Sequence, residues 1–597
     1  MIFRTQPARH ALSCGWLALA VLCCSQCRRE GVETQAAAPS PAQPAPAASA
    51  PISQTRALTA SPQPVSAPTS PATDSDAWVR REFEIQSKFT RVLAVGTPEG
   101  SNTVRVRRLQ LERSGPSSEL EEFAVDERFD TLQQAADAAK GGDLVAVWPG
   151  SYVGFELRHP EGTGPGRFIR FTALGEPGQV VIQRGAPKNP SWMLALTDVS
   201  YVVVDGFEIV GVNRPGAASP NTPRAGIFID GAFRASGRMA HHVAIVGCNS
   251  RGHRKWGLHS TDSRHVLIQD SYFADSGEEH GCYVSDGSDA YVVRRNVFAN
   301  NPISGLQCNL DPDSALEELN EHPKMRLDHE STRAFAKRAL QQAERLFGAG
   351  EFPDGRGTDF IIEANVAHGN GKQGGAAFNL AALSRSVIAN NLIYGNHAAG
   401  IAQWDNDNSY DYDYHDPGPQ SPKEVKGPES FPLFGCQQNL IANNTVFMSV
   451  KGRVAVQSIH GSWGTRLYNN VLANGRGDAI EIDNTSIYQF EAGPNAYTSV
   501  TWSGKAEGMQ SLAKRIPSPE DRTSFDALKA ALSGPSDAPW RAASGWKPAD
   551  SRPDFSPRPT ATGLLGSASK QHAPVLDLLG RPREQAALGA LEPAVGR

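Results

Sequence analysis

Short runs of apolar residues alternate with polar residues through the middle of the chain, and Gly, Asn and Asp cluster between the runs. This pattern is typical of short strands joined by tight turns. Six successive segments repeat the pattern, and they begin at His265, Ala290, Asp359, Arg385, Asn439 and Thr465. Each segment predicts two or three strands, which makes the repeat a coil of a β-solenoid and not a helical repeat.

Asparagine recurs at a constant spacing within these segments. The same spacing of 26 residues separates three pairs, Asp270 and Asn296, Asn365 and Asn391, and Asn444 and Asn470. An Asn side chain at a turn bonds backbone groups and tolerates a left-handed backbone. In coils stacked about 4.8 Å apart, we expect these amides to bond one another as a ladder.

An amphipathic helix is predicted just before the first strand of the repeat. Leu132, Ala135 and Ala139 lie at helical spacing, and Gly141 and Gly142 end the helix. The open end of a solenoid exposes its core and its strand edges to water. We therefore expect this helix to cover the amino-terminal end of the coils.

Two insertions interrupt the repeat, at residues 311–357 and 409–435. The first is predicted to contain a helix over residues 329–347, and the second is an acidic and aromatic loop that follows Trp404. Long irregular loops in a repeat fold usually cover a functional face. The remaining predicted parts are flanking strands at 77–124, the parallel β-helix at 125–500, and a carboxy-terminal cap and tail at 501–597 that contains a helix near 524–533.

The amino terminus has the pattern of an export signal. Basic residues precede a short apolar run within residues 1–27, and the run ends in three cysteines. We expect an exported protein at the cell surface, in the periplasm or outside the cell. The alternatives at this terminus are a lipid anchor on Cys24 or Cys27 and an ordinary cleaved signal. Residues 28–76 are rich in Ala, Pro and Ser, and this composition predicts a disordered linker.

Bulk composition excludes some function classes. The formal charge is −5, from 58 basic and 63 acidic residues, and nothing in it favours a nucleic-acid partner. The mean hydropathy of −0.38 fits a soluble protein, and we expect a monomer.

Four of the eight cysteines lie in the folded part, without the paired spacing of a zinc site. Cys282 and Cys308 are predicted to stack in the core, with a disulfide as the alternative.

Strand alternation separates inward from outward side chains in the segments "GIFID", "GLHST", "GCYVS" and "GLQCN". Ile227, Leu258, Cys282 and Leu306 are predicted to point inward. The predicted outward residues are Asp230, His259, Tyr283, Gln307 and Asn309. A slip of one residue would exchange every assignment. Adjacent coils would then place these polar side chains together on one sheet face.

Charged residues flank that face in "GHRKWGLH" and "SGEEHGCY". A β-elimination enzyme must neutralise a uronate carboxylate, remove the C5 proton and protonate the leaving oxygen. Arg254 or Lys255 is a candidate for the first task, and Lys255, His259 or His280 for the second. Tyr283 is the candidate acid. Salt-bridged turn residues and solvated surface charges are the alternative interpretation of these groups.

The repeats resemble secreted right-handed parallel β-helix proteins of the pectate lyase-like superfamily. The resemblance covers about 125–500 and the tail, and it is carried by "GGDLVAVWPGSYVGFELR", "VLIQDSYFADSGEEHGCYVS", "SVIANNLIYGNHAAGI" and "DLLGRPREQAALGALEP". It implies an all-β solenoid that acts on or binds polysaccharides. Lyases of that superfamily often use a Lys or Arg base with calcium held by acidic residues.

Acidic residues on the same face suggest two further roles. A glycoside hydrolase needs two carboxylates across a cleft, and Asp230, Glu278, Glu279 and Asp286 are the candidates. Glu278, Glu279 and Asp286 are also the predicted ligands for Ca²⁺. Asp230, Arg254, Gln307, Asn309 and Trp404 are predicted to bind substrate.

Two functional hypotheses follow from the sequence. The first is an enzyme that acts on an acidic polysaccharide, either a lyase or, as second choice, a hydrolase. The second is a cell-surface protein that binds carbohydrate or has a structural role without turnover. The tether and the lack of an intact catalytic motif of any one lyase family support the second.

Overall fold

The computed structural model describes residues 75–503 with gaps at 97–99, 110, 112–118, 322–331, 349, 406–418, 420 and 449–451. It also describes 508–534, 554–558, 564, 567–569, 577–578, 583 and 587–591, and these parts all belong to one compact unit. The predicted export signal, the lipid anchor and nearly all of the linker lie outside the described residues, as do residues 409–418 and 420 of the second insertion. Within the described part, no helix is both long and apolar enough to cross a membrane.

Three long parallel sheets of 13, 11 and 11 strands form the body of the protein. Each coil of the chain contributes one strand to each sheet in turn, and we name the sheets I, II and III in that order. Sheet I contains Glu127–Phe129, Val92–Val95, Leu144–Val147, Ile169–Ala173, Ser200–Asp205, Ala240–Val246, Ser263–Gln269, Asp289–Arg294, Ile361–Glu363, Val387–Ala389, Leu440–Ala442, Arg466–Tyr468 and Glu491–Ala492.

Sheets II and III have the same stacking order. Sheet II contains Gly150–Val153, Val180–Arg184, Glu208–Val210, Asn249–Arg251, Tyr272–Ala274, Val297–Ala299, Val366–His368, Leu392–Tyr394, Thr445–Met448, Val471–Asn474 and Ala496–Tyr497. Sheet III contains Phe155–Arg158, Trp192–Thr197, Ala225–Asp230, Trp256–Thr261, Cys282–Ser285, Leu306–Asn309, Ala376–Ala381, Ala399–Trp404, Val456–Ser458, Ile480–Asp483 and Val500–Ser503. Crossovers between parallel strands are right-handed in about 98% of cases. The fold is the right-handed parallel β-helix that the repeat predicted.

The asparagine ladder is confirmed at the turn between sheets I and II. The side-chain amides bond along it at 2.9–3.1 Å, through Asn296, Asn365, Asn391, Asn444, Asn470 and Asn495. The prediction was wrong by one residue at its start, because Ser271 and not Asp270 stands in register with Asn296. Asp270 instead pairs with Arg295 at 2.7 Å. A second ladder, Asn301 to Asn370 to Asn396, follows sheet II.

The helix Leu132–Ala138 covers the amino-terminal end of the coils, as predicted. Thr131 and Gln134 form a capping box at its start. Leu132 and Ala135 belong to the main core together with Leu93 and Phe155. Because Val92–Val95 already pairs with Leu144–Val147 in sheet I, coil strands begin upstream of this helix.

The amino-terminal helix Ser75–Glu82 packs on the outer face of sheet I. Its first two residues belong to the stretch predicted as linker, and the region predicted as flanking strands contains most of it. Val79, with Phe83 just beyond the helix, contacts Phe168, Val203 and Leu267 in an apolar cluster outside the main core. The flanking hairpin Thr103–Arg107 with Leu120–Ala124 follows. The outer face of sheet I is thus covered by the chain that leads into the solenoid.

The carboxy-terminal segments lie along the outside of sheet II. The helix Phe525–Ala531, close to the predicted position, brings Leu528 against this sheet, and Leu588 and Leu591 join the same apolar cluster. The backbone N–H of Ala590 donates to Thr445 Oγ1 at 2.9 Å. Two of the three outer faces are therefore covered by other parts of the chain.

The first insertion contains the helices Pro312–Glu321 and Thr332–Phe347, and the second of these was predicted. Smaller elements are the helix Phe233–Ser236, the 3₁₀ turns Pro422–Glu424, Pro428–Ser430, Met509–Leu512 and Pro519–Asp521, and the strand pairs Gly357–Thr358 with Leu383–Ser384 and Leu532–Gly534 with Asp554–Pro557.

The four described cysteines are buried free thiols. Cys282 and Cys308 both point into the core, as predicted, but they do not share one column. Register places Cys282 opposite Leu306, and Val284 opposite Cys308. The alternative of a disulfide between them is not what the structure contains.

Candidate functional site on sheet III

The outer face of sheet III carries the predicted polar side chains in two rows. Phe228, His259, Tyr283, Gln307 and Asn379 stand opposite one another in successive coils and form the first row. The second row contains Asp230, Thr261, Ser285, Asn309, Ala381 and Trp404. Ile227, Leu258 and Leu306 are fully buried on the opposite side. The predicted alternation is confirmed. Its physical reason is that one face of these strands must fill the core.

An aromatic cluster lies at the amino-terminal edge of these rows. Trp192 stacks on Phe228 with ring centres 4.1 Å apart, and Trp256 lies 5.5 Å from Tyr283. These four rings form a group separate from the main core. Trp192 and Trp256 are only 9% and 3% exposed, so their faces offer little area for stacking on a sugar.

Arg224 occupies the space beside the two tryptophans. Its guanidinium carbon lies 5.6 Å from the centre of the Trp192 ring and 5.4 Å from that of Trp256. Both distances are in the range of cation–π attraction. Arg224 makes no ion pair with any described residue, and its Nε is buried without a hydrogen-bond partner. A planar cation positioned beside two rings is suited to bind a carboxylate that comes from outside the protein.

The two cations nominated from the sequence are already paired. Lys255 Nζ lies 2.9 Å from Glu279 Oε1, and Arg254 Nε lies 3.2 Å from Glu278 Oε1. The indole Nε1 of Trp256 donates to the other oxygen of Glu279 at 2.9 Å. Because the Lys255 amine is bonded to the Glu279 carboxylate, it is not positioned to act as a free base. These residues hold the edge of the site together.

His259 lies in the middle of the first row, stacked on Tyr283 with ring centres 4.9 Å apart. Its Nε2 is 3.1 Å from Ser285 Oγ, and Ser285 Oγ donates to Asp286 Oδ2 at 3.0 Å. These hydrogen bonds place the imidazole proton on Nε2, and the lone pair on Nδ1 is buried without a partner among the described residues. Burial, together with the nearby charge of Arg224, lowers the pKa of His259 to about 3, so the ring is neutral at pH 7.

The basic nitrogen of His280 already accepts a hydrogen bond from the protein. The backbone N–H of Ser304 donates to His280 Nδ1 at 3.1 Å, which leaves the proton on Nε2, 3.9 Å from Glu279 Oε2. Burial lowers the pKa of His280 to about 4. Because its basic nitrogen accepts a backbone hydrogen bond, His280 is less suited than His259 to remove a proton from a ligand.

The rest of the first row is linked by amide groups. Trp404 Nε1 donates to Asn379 Oδ1 at 3.1 Å, and Asn379 Nδ2 donates to Gln307 Oε1 at 2.8 Å. Asn309 Nδ2 lies 3.4 Å from Tyr283 Oη. The predicted binding residues Gln307, Asn309 and Trp404 are therefore brought together with Tyr283.

The predicted calcium ligands do not come together. Glu278 and Glu279 precede the strand Cys282–Ser285, and Asp286 follows it, so the strand separates them. Glu279 is bonded to Lys255, and Asp286 accepts from Thr261 and Ser285. Separated and already bonded carboxylates do not fit one Ca²⁺ ion, which takes six to eight oxygen ligands.

A cavity of about 400 Å³ lies at the carboxyl end of the strands of sheet III. Asp230, Asp262, Asp286 and Glu317 contribute to its lining. Burial raises the pKa of Asp230 and also that of Asp286. The cavity lies at the carboxyl ends of the strands, whereas Arg224 lies at their amino ends. The acidic candidates and the basic candidates are therefore at opposite edges of sheet III.

Comparison with known proteins adds three likenesses of fold. A pectate lyase (Pel9A) is 15% identical over 85% of this chain and 98% of that protein, with a TM-score of 0.41. The A-module of the Azotobacter vinelandii mannuronan C-5 epimerase AlgE4 is 14% identical over 64% and 93%, with a TM-score of 0.34. An alginate lyase from Paenibacillus sp. str. FPU-7 is 16% identical over 60% and 94%, with a TM-score of 0.31.

No protein-family profile matches the sequence, and no curated protein sequence matches it. At these TM-scores the likenesses support no statement about activity. The fold is established by the strand register, and any function must be argued from the site.

Sequence reasoning missed Arg224 as a site residue. It precedes the strand Ala225–Asp230 by one position, and Ala225 stands opposite Trp256 in the next coil. Arg224 is thus the register equivalent of Lys255. Extending the strand alignment by one residue upstream would have revealed two cations at the same edge of the face.

Proposed function

We propose that the outer face of sheet III binds an acidic polysaccharide and cleaves it by β-elimination. The observation that carries this proposal is Arg224, a half-buried guanidinium that lies beside two indole rings and has no acidic partner among the described residues. A uronate carboxylate supplies the missing negative charge in a bidentate geometry. Neutral polysaccharides have no such group.

The first row extends from Arg224 as a line of hydrogen-bonding groups. Tyr283 and Asn379 are partly exposed in this row, whereas Gln307 between them is buried and bonds Asn379. Coils repeat at about 4.8 Å, so the two partly exposed groups lie two coil spacings apart along an extended chain. Among the described residues, other segments cover sheets I and II, and this favours sheet III as the face for a polymer.

The elimination assigns one task to each of three groups. Arg224 neutralises the carboxylate, which makes the adjacent C5 proton easier to remove. His259 Nδ1, which is buried and has no hydrogen-bond partner among the described residues, takes that proton, and this requires the ring to become accessible when the polymer binds. The electron pair forms the C4–C5 double bond, the bond from C4 to the leaving oxygen breaks, and Tyr283 Oη gives that oxygen a proton. Water then restores the protonation of Tyr283 and His259.

A glycoside hydrolase is the second candidate, and a separate observation favours it. Asp230 and Asp286 line one cavity, and both have a pKa raised by burial. A carboxyl group that keeps its proton near neutral pH is what a hydrolase needs as its general acid. This chemistry would take place at the opposite edge of the face from Arg224.

Incubation of the protein with pectate, alginate and glycosaminoglycans tests these proposals. Elimination gives new reducing ends together with the ultraviolet absorbance of an unsaturated uronate, whereas hydrolysis gives reducing ends alone. Binding without either product supports the non-catalytic alternative and overturns the elimination. Absence of both binding and product with every acidic polymer contradicts the proposal as a whole.

A further inference from the structure

Two histidines and a glutamate converge outside sheet I, in the same coils as His259 but on a different face of the solenoid. Glu82 is the last residue of the amino-terminal helix Ser75–Glu82. His242 and His265 lie in adjacent strands of sheet I, at equivalent positions in the register of Ala240–Val246 and Ser263–Gln269. Their ligand atoms lie within 4.8 Å of one another. We propose that Glu82, His242 and His265 bind a divalent transition-metal ion, with Zn²⁺ as the best match.

The geometry agrees with a tetrahedral ion. Glu82 Oε2 lies 3.3 Å from His242 Nε2 and 2.9 Å from His265 Nδ1. Zinc bonds of about 2.0–2.1 Å place neighbouring tetrahedral ligands about 3.3–3.4 Å apart. A small movement of the Glu82 carboxylate adjusts the shorter distance. The fourth position is left for water, and two His with one carboxylate is a ligand set that zinc prefers.

The backbone places both imidazoles on the outside at the same height. His242 and His265 have left-handed backbones, with φ of 54° and 51°. The register-equivalent residues Tyr201 and Ala290 of the neighbouring coils have the same conformation, so it is a feature of the coil turn. In His242 and His265 it turns both rings away from the core, with their centres 4.8 Å apart.

Neighbouring groups orient the ligands. His241 Nδ1 lies 2.8 Å from His242 Nδ1, so the second nitrogen of the His242 ring is held and Nε2 faces Glu82. Tyr201 stacks on His242 with ring centres 4.6 Å apart. Such partners around a ligating imidazole raise metal affinity. Arg81 Nε bonds the other oxygen of Glu82, and the nearby Arg264 pairs with Glu351 at 2.6 Å.

The ion would connect the amino-terminal helix to the solenoid. Glu82 belongs to the segment that leads into the solenoid, whereas both histidines belong to the coils. The bound metal would therefore fix the point where the predicted linker ends and the body begins. Loss of the ion would weaken the connection at the end of the helix, while Val79 and Phe83 stay packed on sheet I and the core of the solenoid stays intact.

The test is a zinc titration of the chelator-treated full chain, with metal content measured after dialysis. Accessible thiols are first blocked with iodoacetamide, because Cys23, Cys24 and Cys27 would themselves bind zinc. We expect one Zn²⁺ per chain, and affinity at least about 10-fold weaker in each of Glu82→Gln, His242→Gln and His265→Gln. His159→Gln, a half-exposed histidine elsewhere, is the control and should bind as the wild type does.

Hydrogen exchange supplies a second measurement. Zinc should slow exchange in residues 75–82 of the wild type and not of Glu82→Gln, whose substitution lies outside the solenoid core. Absence of stoichiometric zinc, or equal affinity in Glu82→Gln and the wild type, would overturn the proposal and reduce the cluster to a hydrogen-bonded contact.

Discussion

The guanidinium carbon of Arg224 lies 5.4 Å from the centre of the Trp256 ring. Trp256 is in turn fixed by the bond from its Nε1 to Glu279. The Arg224 side chain is therefore held by a ring that is itself fixed in place, and its conformation is set before a ligand binds. Preorganisation of this kind reduces the entropy lost on binding.

The contribution of the Trp256 ring can be separated from that of its indole nitrogen. Trp256→Leu removes one aromatic neighbour of Arg224, and we expect affinity for an acidic polymer to fall about 5-fold, as expected for a cation–π contact of about 1 kcal/mol. Trp256→Phe keeps a ring and loses only the bond to Glu279. Calorimetric titration should rank wild type, then Phe, then Leu. Equal affinities in all three would show that the ring does not position Arg224.

The two histidines of the site should differ in their effect on catalysis. His259→Gln is expected to lower the rate of elimination at least about 100-fold with little change in affinity, because general-base catalysis contributes about that much. His280→Gln should stay within a few-fold of the wild-type rate, since His280 Nδ1 already accepts from Ser304. Product formation followed in the ultraviolet gives both values. The reverse order would assign the base to His280.

The asparagine ladder should be a major source of stability. Asn391 gives its amide protons to Asn444 and to the carbonyl of Ile362, and its oxygen accepts from Asn365. Asn391→Ala leaves several buried groups without partners, so we expect a loss of about 2–3 kcal/mol in the free energy of unfolding. Asn221→Ala at an exposed turn is the control, with an expected change below about 0.5 kcal/mol. Denaturant unfolding measures both.

Acid sensitivity should trace in part to His253. This ring is buried against Ser250, and burial lowers its pKa to about 3. Between pH 6.5 and pH about 3 the His253 ring carries a proton in the unfolded chain but not in the folded chain. The free energy of unfolding therefore decreases as the pH falls through this range. From pH 7 to pH 5 the wild type should lose about 2 kcal/mol more than His253→Gln. Parallel pH profiles of the two proteins would contradict this assignment.

Much of the fold could be predicted from the sequence because a solenoid repeats its pattern. The inward and outward positions around His259 and Tyr283 follow from alternation alone, and the capping helix follows from its periodicity. The ladder was predicted from Asn spacing, but its start was placed at Asp270 since an acidic residue also suits a turn. The second ladder through Asn370 was missed because it has few members.

The chemistry of the site could be predicted only in part. Whether Lys255 and Arg254 are free depends on which carboxylates the turns bring to them, and no periodicity encodes that. The same holds for His280, whose lone pair is occupied by a backbone group of another coil. Arg224 escaped notice because it precedes its strand, at a position where the alternating pattern had not yet begun.

The proposed elimination depends on Arg224, a cation without an acidic partner among the described residues, which receives the carboxylate of the polymer. The most direct measurement compares wild type, Arg224→Gln and Arg184→Gln, an exposed arginine of sheet II, for binding to and elimination of an acidic polysaccharide at low salt. Loss of an ionic hydrogen bond predicts affinity about 10-fold to 100-fold weaker for Arg224→Gln, with elimination reduced at least as much. Arg184→Gln should match the wild type. Unchanged binding and product formation in Arg224→Gln would contradict the account.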